Sequence, residues 1–219
     1  MMADYGAMRA KMIDGQVLPN RIVDRNLLMA MSEVPRERFV GADQKAFAYS
    51  DKNIEIGQGR YLIEPRVFAG MVEGLSPGSD DMVLDIGCGS GYGIVILAKL
   101  CNTVVGIDCD EVLLESASAL LNSLEVDNAV TTLGPLNNGY PNEAPYDLIL
   151  MEGSVPCVPQ VILNQLVDGG RLAVVIRRGP GLYEANLVTR IGENFGRRIL
   201  FNGAAPELPG FDRMRGFAL

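Results

Sequence analysis

From residue 82 onward, short uninterrupted runs of apolar residues alternate with longer stretches that repeat apolar positions at helical spacing. The apolar runs are residues 82–84, 103–107, 148–150 and 172–176. The stretches with helical spacing are residues 92–100, 111–124 and 159–166. Strands that are apolar on both faces are covered by helices on both sides, as in parallel sheets. The pattern therefore predicts an α/β fold with a doubly wound, mostly parallel sheet.

Residues 1–80 do not follow this alternation. Two segments there have the spacing of helices, and the second begins near Asp24. Residues 182–219 contain two further strand-like runs, and the Asp-Gly-Gly of residues 168–170 is typical of a helix end before the next strand. The chain has 219 residues, 48% of them hydrophobic, so it can bury one sizeable core. We expect one compact domain in which N-terminal helices and a substrate-side loop (1–80) pack on an α/β core (81–219).

Composition disfavours several classes of function. No apolar run approaches the roughly 18 to 20 residues of a membrane span, and the N-terminus lacks the basic start and apolar stretch of a secretion signal. We therefore expect a soluble, cytoplasmic protein without a membrane partner. A formal net charge of −8 disfavours a nucleic-acid partner. The four cysteines show no C-x-x-C spacing and the chain has no histidine, so we expect reduced, mostly buried thiols and no metal site.

The turn after the first apolar run is rich in glycine. Gly87-Cys88-Gly89-Ser90-Gly91 stands where the first strand of an open parallel sheet meets its helix, which is the usual ligand cradle. Glycines let the backbone turn tightly and let a ligand approach the amides. A dinucleotide fingerprint would need a third glycine at position 92, which is Tyr92, so the spacing disfavours NAD. Cys88 has no basic neighbour in sequence, and we expect it to pack rather than to react.

Two acidic residues flank this loop. Asp85, two residues before the first glycine, would repel a pyrophosphate but attract the sulfonium and ammonium groups of S-adenosylmethionine. Asp108 ends the next predicted strand about 20 residues further on, where a carboxylate accepts hydrogen bonds from both ribose hydroxyls. Either acid alone could merely cap a helix. Together they predict S-adenosylmethionine as the cofactor, with S-adenosylhomocysteine as its product.

Longer stretches of the chain resemble one enzyme family. Residues 34–40 (VPRERFV) and 48–51 (AYSD), the glycine-loop segment 83–92, and the segments 144–147 (APYD) and 165–172 (QLVDGGRL) are similar to signatures of the protein-L-isoaspartate O-methyltransferases. The resemblance implies a Rossmann-like methyltransferase fold. It also implies methylation of the isoaspartyl carboxylate in aged proteins or peptides, the first step of a repair cycle. A carboxylate is already an anionic nucleophile, so an enzyme without histidine can position it without a general base.

The chain departs from the family where the acceptor should bind. Residues 57–65 correspond to the family's GYGQTISQP stretch, so Ile63 stands at its serine and Tyr61 at its threonine. A hydroxyl donor is thereby lost. Glu64 replaces a glutamine and adds negative charge near an anionic acceptor, unless Arg60, also a substitution, pairs with it or binds the acceptor carboxylate. A solvated surface position for Arg60 is equally compatible with the sequence. These four residues are the substrate-side candidates, and the sequence assigns none of them a catalytic role.

The cofactor side departs from the family as well. Pro135 and Leu136 stand where the family has an acidic turn toward adenine, so we expect apolar contact there instead. Glu152 follows the apolar run at 148–150, and we expect it at the cleft rim as a salt-bridge partner or substrate reader. The residues expected to bind the cofactor are Asp85, Gly87, Cys88, Gly89, Ser90, Gly91, Asp108, Cys109, Pro135, Leu136 and Glu152.

Alternatives to isoaspartyl methylation follow from these departures. A methyltransferase of the same fold could act on another acceptor, including a small molecule, because the changed residues lie on the acceptor side. A module that binds S-adenosylmethionine or another protein without turnover would also keep the loop and its flanking acids. An NAD-dependent reductase fits the loop spacing least well. The sequence leaves the oligomeric state open, as well as the question whether residues 205–219 fold over the cleft.

Overall fold

The computed structural model describes residues 3–57 and 59–211 and centres on a seven-stranded sheet with a separate two-stranded hairpin. The strands are β1 (Ile54–Gly57), β2 (Arg60–Leu62), β3 (Met82–Ile86), β4 (Thr103–Asp108), β5 (Ala129–Leu133), β6 (Tyr146–Val155), β7 (Leu166–Gly179), β8 (Leu182–Ile191) and β9 (Asn194–Asn202). The helices are α1 (Tyr5–Met12), α2 (Arg25–Glu33), α3 (Pro65–Leu75), α4 (Tyr92–Ala98), α5 (Glu111–Ser123) and α6 (Gln160–Leu163). No described helix is both long and apolar enough to cross a lipid bilayer.

The large sheet has the strand order β5-β4-β3-β6-β7-β8-β9. The pairs from β5 to β7 are parallel, whereas β8 and β9 add two antiparallel strands at one edge. These last two strands are the strand-like runs expected after residue 182. The chain order reverses between β3 and β6, which is the place where open α/β sheets bind ligands. The doubly wound, mostly parallel sheet predicted from the apolar pattern is confirmed.

Two apolar clusters form the core, one on each face of the sheet. One cluster joins the N-terminal residues Met12 and Leu27 to Val83 on β3 and Val175 on β7, all buried. The other contains Ile86 and its neighbours on the opposite face. Because the first cluster includes residues from both sides of position 80, the N-terminal helices and the sheet bury their apolar surface together.

The N-terminal helices begin where their capping residues stand. Asp24 accepts a hydrogen bond from the Leu27 amide at 2.8 Å and caps α2, as expected from the sequence. The structure adds α3, which the sequence pattern did not predict; it begins with Pro65 at its first position and packs against β7 and β8. This helix follows directly after β2, so it fixes the end of the hairpin that carries the substrate-side candidates.

One expected helix is shorter than its pattern suggested. The helical spacing at residues 159–166 gives only α6, and Leu166 already pairs with Tyr146 as the first residue of β7. The Asp-Gly-Gly of residues 168–170 therefore lies inside β7 and not at a helix end. Between Tyr146 and Leu148 the pairing shifts from Leu166 to Arg171, so the extra residues of β7 form an irregular bulge.

Candidate active site

The expected site residues meet at the carboxyl edge of the sheet, where β3 and β6 lie side by side. Asp85 on β3 is in register with Gly106 on β4 and with Leu150 on β6. Side chains two residues apart on a strand point to the same face, so Asp108 and Glu152 share a face with Asp85. Strand register therefore brings three acidic residues from distant parts of the sequence to one place.

The glycine loop turns sharply between β3 and α4. Gly87, Gly89 and Gly91 have φ angles of 80°, 53° and 90°, a left-handed backbone region that side chains rarely adopt. A Cβ atom on Gly87 would lie 2.7 Å from Leu208 Cδ2 and 2.8 Å from Arg60 Nη2. The first glycine is therefore required both by its backbone conformation and by the side chains packed against it.

Asp108 is fully buried, and its carboxylate accepts several hydrogen bonds at the end of β4. The backbone amides of Gly89 and Cys109 donate to it at 2.8 Å, and that of Asp110 donates at 3.2 Å. Arg60 adds a bidentate ion pair, with Nη2 at 2.9 Å and Nε at 3.2 Å from the carboxylate oxygens. The carboxylate that we expected to bind ribose hydroxyls is thus held by the chain's own guanidinium.

Arg60 is one of the least exposed charged residues of the described chain, at 2%. Its Nη2 also donates to the Gly87 carbonyl at 2.6 Å, which ties the β1–β2 hairpin to the glycine loop. Glu64, the partner considered from the sequence, pairs instead with Arg66 at 2.8 Å. The alternative of a solvated surface position for Arg60 is wrong, because the hairpin folds its side chain inward onto Asp108.

Asp85 and Glu152 form a buried acidic pair, 0% and 4% exposed. Within residues 3–57 and 59–211, neither oxygen of Asp85 nor Oε1 of Glu152 receives a hydrogen bond. Burial raises the pKa of Asp85 to about 7. Burial, followed by the nearby charge of Asp85, raises the pKa of Glu152 well above its ordinary value. We expected Glu152 at an open cleft rim; the structure places it deep beside Asp85 instead, because β6 continues as a buried strand to Val155.

The acceptor-side candidates have separate environments. The Ile63 side chain is 1% exposed, and its carbonyl accepts from Arg36 Nη2 at 2.5 Å. Tyr61 is half-buried on β2. Arg36, which sequence reasoning did not single out, is fully buried, donates to the Ala48 carbonyl at 2.8 Å, and has its guanidinium carbon 4.7 Å from the centre of the Tyr92 ring. Its place in the VPRERFV segment was the available signal.

Other expected cofactor residues have mainly structural contacts. Ser90 Oγ donates to the Phe39 carbonyl at 2.6 Å, which fastens the loop to the N-terminal region. Cys88 is buried, in agreement with a packing role, whereas Cys109 is exposed. Leu136 is buried in the core cluster that contains Ile86. Half of the four cysteines are buried, and all four are free thiols.

The segment 205–211 folds over the cleft, which answers part of the question left open by the sequence. The Ser154 amide donates to the Pro206 carbonyl at 2.8 Å, and the Leu208 amide donates to the Ser154 carbonyl at 2.9 Å. Leu208 is 4% exposed and would touch a Cβ placed on Gly87 or on Gly153. Residues 212–219 lie outside the described part. Leu208 lies in a segment without apolar periodicity, so no pattern could have identified it as a site residue.

A surface cavity opens beside this arrangement. It has a volume of about 600 Å³, and Arg60, Cys109, Asp110 and Pro209 contribute to its lining. Its other lining residues come from β1 and from the first turn of α5. The cavity therefore reaches the ion pair at the end of β4 from the solvent side.

Comparison with known proteins places this geometry in a family. A sequence model described as protein-L-isoaspartate(D-aspartate) O-methyltransferase matches residues 8–194. The protein-L-isoaspartate O-methyltransferase of Roseiflexus sp. (strain RS-1) is 38% identical over 173 residues, which cover 79% of each chain. The protein of the same name from Desulfotalea psychrophila is 36% identical over 197 residues, covering 89% of this chain and 91% of the relative.

Solved structures agree on the fold. One titled protein-L-isoaspartate O-methyltransferase superposes with a TM-score of 0.81 at 23% identity, covering 92% of this chain and 66% of that one. A Plasmodium falciparum structure, titled as a putative enzyme of the same kind in complex with S-adenosyl-L-homocysteine, gives 0.75 at 19% identity, covering 94% and 99%. The chain belongs to the protein-L-isoaspartate(D-aspartate) O-methyltransferase family, which confirms the methyltransferase class and the S-adenosylmethionine cofactor expected from the sequence.

Proposed function

We propose that the protein methylates the free carboxylate of isoaspartyl residues in proteins or peptides, with S-adenosylmethionine as methyl donor. The observation that carries this proposal is the buried acidic edge of the sheet, where Asp85 and Asp108 flank the glycine loop. This arrangement suits a ligand that carries positive charge at one end and a ribose at the other. The family to which the chain belongs supports the acceptor.

The residues present fit that cofactor. Both Asp85 oxygens are buried without a donor from the described chain, so a cationic group placed there would satisfy them. Positive φ angles at Gly87 and Gly89, with no Cβ at either position, let a ligand approach the backbone of the loop closely. Asp108 ends the neighbouring strand with its carboxylate at the loop, and Pro135 and Leu136 follow β5, the strand beside β4. We assign these residues to the cofactor.

Methyl transfer to a carboxylate requires the protein mainly to position the two reactants. When bound, S-adenosylmethionine supplies a methyl carbon that the acceptor carboxylate oxygen attacks, while the carbon–sulfur bond breaks and its electron pair stays on sulfur. No proton moves, so the lack of histidine in the chain is no obstacle. Ile63, Leu208 and the surrounding buried side chains keep water away from the acceptor side, which removes part of the carboxylate's hydration.

A second acceptor class has one observation in its favour. Ile63 places an apolar, buried side chain at the family's serine position, so the hydroxyl that could bind an isoaspartyl carboxylate is missing. A methyltransferase that uses the same cofactor residues on a different acceptor, such as a small molecule, would have less need of that hydroxyl. Arg60 can supply the missing donor, so we prefer isoaspartyl residues as the acceptor.

The test is to identify the product chemically. The protein is incubated with an isoaspartyl peptide and S-adenosylmethionine, and the peptide is examined by mass spectrometry for a methyl ester that mild base removes. We expect the ester on the isoaspartyl carboxylate. A methyl group that resists base, or methylation of small acids without any on the peptide, would favour the second acceptor class instead.

A further inference from the structure

Arg60 donates to the carboxylate oxygens of Asp108 that would otherwise accept hydrogen bonds from a ribose. A carboxylate offers about four lone-pair positions. Three backbone amides already donate to Asp108, and the Nε and Nη2 atoms of Arg60 add two more donors. Two ribose hydroxyls cannot be added to this set. The hydroxyls and the Arg60 guanidinium therefore compete for the same oxygens.

If Arg60 leaves Asp108, its charge needs another partner. The Arg60 side chain is 2% exposed at the inner wall of the surface cavity, and Leu208 packs against the same glycine. A buried guanidinium without a counterion is costly, so it favours the arrival of an anion. Asp85 and Glu152 lie nearby but suit the cationic end of the cofactor. Asp110 and Glu111 line the same cavity as Arg60, and an anionic acceptor that enters this cavity is the external partner for the guanidinium.

Arg36, the other arginine buried among the described residues, is held by contacts to more segments of the fold. Arg36 Nε and Nη2 are bound to the carbonyls of Ala48 and Ile63, and its guanidinium lies over Tyr92, while its buried Nη1 has no partner among the described residues. Its position depends on several parts of the fold. Arg60 stands on a short hairpin, three residues before Ile63, where the family's hydroxyl donor is missing. Its ion pair with Asp108 and the hydrogen bond from its Nη2 to the Gly87 carbonyl hold it there.

We propose that Arg60 recognises the acceptor carboxylate, and that Asp108 holds its guanidinium until the cofactor ribose takes its place. This inference rests on the proposed function for the nature of the acceptor. Arg60 then replaces the lost hydroxyl as the donor to the acceptor carboxylate. Binding of the cofactor is thereby coupled to binding of the acceptor. A cofactor that frees Arg60 strengthens acceptor binding, and by thermodynamic reciprocity the acceptor strengthens cofactor binding.

The experiment measures both ligands on the purified full-length protein. Binding of S-adenosylhomocysteine and of an isoaspartyl peptide is measured by calorimetry, each with and without the other, for wild type, Arg60→Ala and Arg60→Gln. Arg178→Ala is the matched control, because it removes another arginine–carboxylate pair, with Glu184 at 3.0 Å, away from the glycine loop. Peptide KM and kcat are measured on the same preparations.

The expected results have opposite signs for the two ligands. S-adenosylhomocysteine alone binds the Arg60 variants more tightly, by about fivefold or more, because nothing competes for Asp108. The peptide KM rises about tenfold or more, as for a lost charge-assisted hydrogen bond, and kcat changes much less. Wild type shows mutual strengthening of the two ligands, the variants show none, and Arg178→Ala behaves as wild type.

Several results would overturn the inference. Looser or unchanged S-adenosylhomocysteine binding in both Arg60 variants would show that Arg60 does not compete for Asp108. Independent binding of the two ligands to wild type would also overturn it, and that measurement needs no variant to fold. Failure of the proposed function looks different: wild type would form no ester on the peptide, while tighter S-adenosylhomocysteine binding by Arg60→Ala would still establish the competition.

Discussion

Asp85 on β3 and Glu152 on β6 face each other above Gly93, and no donor from the rest of the described chain reaches the Asp85 oxygens. A Cβ on Gly93 would overlap Glu152 Oε1 and lie 2.9 Å from Asp85 Oδ2, so both carboxyl groups converge on the space that this glycine leaves. Two carboxyl groups so close in a dry interior do not ionise together at low cost. The number of ionised carboxyl groups in this pair therefore determines how strongly the site binds a cation.

Cofactor affinity should therefore depend on pH. Burial raises the pKa of Asp85 to about 7, so the carboxyl is neutral below that pH and gains its charge above it. Asp108 and Arg60 are the other charged groups that act on it. Binding of S-adenosylhomocysteine should strengthen as pH rises through about 7, with up to about tenfold loss per pH unit below it. Calorimetry across this range tests the slope, and Asp85→Asn should flatten it; an equal slope in that variant contradicts the assignment.

The same carboxyl should make stability depend on pH in the opposite direction. The pKa of Asp85 in the folded protein lies above its ordinary value of 3.8, so folding takes up a proton between these values. The contribution of protonated Asp85 to the free energy of unfolding is present below the ordinary pKa. It is lost as pH rises through the folded-state pKa of about 7. Urea titrations at several pH values, comparing wild type with Asp85→Asn, measure the difference. A variant whose unfolding free energy follows the wild-type pH profile would contradict this prediction.

Gly93→Ala should destabilise the protein through Glu152. The added methyl group would overlap the Glu152 carboxyl, and overpacking of a full interior costs about 1 to 3 kcal/mol. Denaturant unfolding gives the value. The matched test is Gly93→Ala combined with Glu152→Ala, which removes the overlapping Glu152 atoms and leaves only the 2.9 Å approach to Asp85 Oδ2. Adding Gly93→Ala to Glu152→Ala should lower the free energy of unfolding much less than Gly93→Ala does in wild type. Equal losses in the two backgrounds would show that the two positions do not share this space.

Arg36→Lys should cost stability although the charge is kept. The guanidinium joins the carbonyls of Ala48 and Ile63, and an ammonium group cannot hold the same fork. A buried carbonyl left without its donor costs about 1 to 3 kcal/mol, and we expect a loss in that range in the free energy of unfolding. Arg38→Lys is the control, because Arg38 is exposed and bonds only to Ser123 Oγ among the described residues. Equal effects of the two substitutions would count against the role given to Arg36.

Asp108→Ala should lower both stability and cofactor affinity. Removing the carboxylate leaves Arg60 buried without its counterion, and breaking a buried pair from one side costs about 3 to 5 kcal/mol. In unfolding experiments, the double variant Arg60→Ala/Asp108→Ala should lose less unfolding free energy than Asp108→Ala alone. S-adenosylhomocysteine binding should remain weak in the double variant, because the ribose acceptor is still missing. Recovery of binding there would place the ribose elsewhere.

The meeting of Asp85, the glycine loop and Asp108 at one edge of the sheet could be predicted because the signals are local. Asp85, the glycine loop and Asp108 stand at strand ends, and apolar periodicity places strand ends well. The partner of Arg60 could not be predicted, since it depends on how a short hairpin packs over the loop rather than on sequence neighbours. The depth of Glu152 depends on the length of β6, and the contact of Leu208 with the loop depends on the path of a non-periodic segment.

The proposed function depends on which carboxylate receives the methyl group. The most direct measurement is the rate of methyl transfer from labelled S-adenosylmethionine to an isoaspartyl peptide and to its aspartyl twin of identical sequence. We expect a base-labile label on the isoaspartyl peptide and background label on the twin. Label on neither peptide, or at equal rates on both, would contradict it.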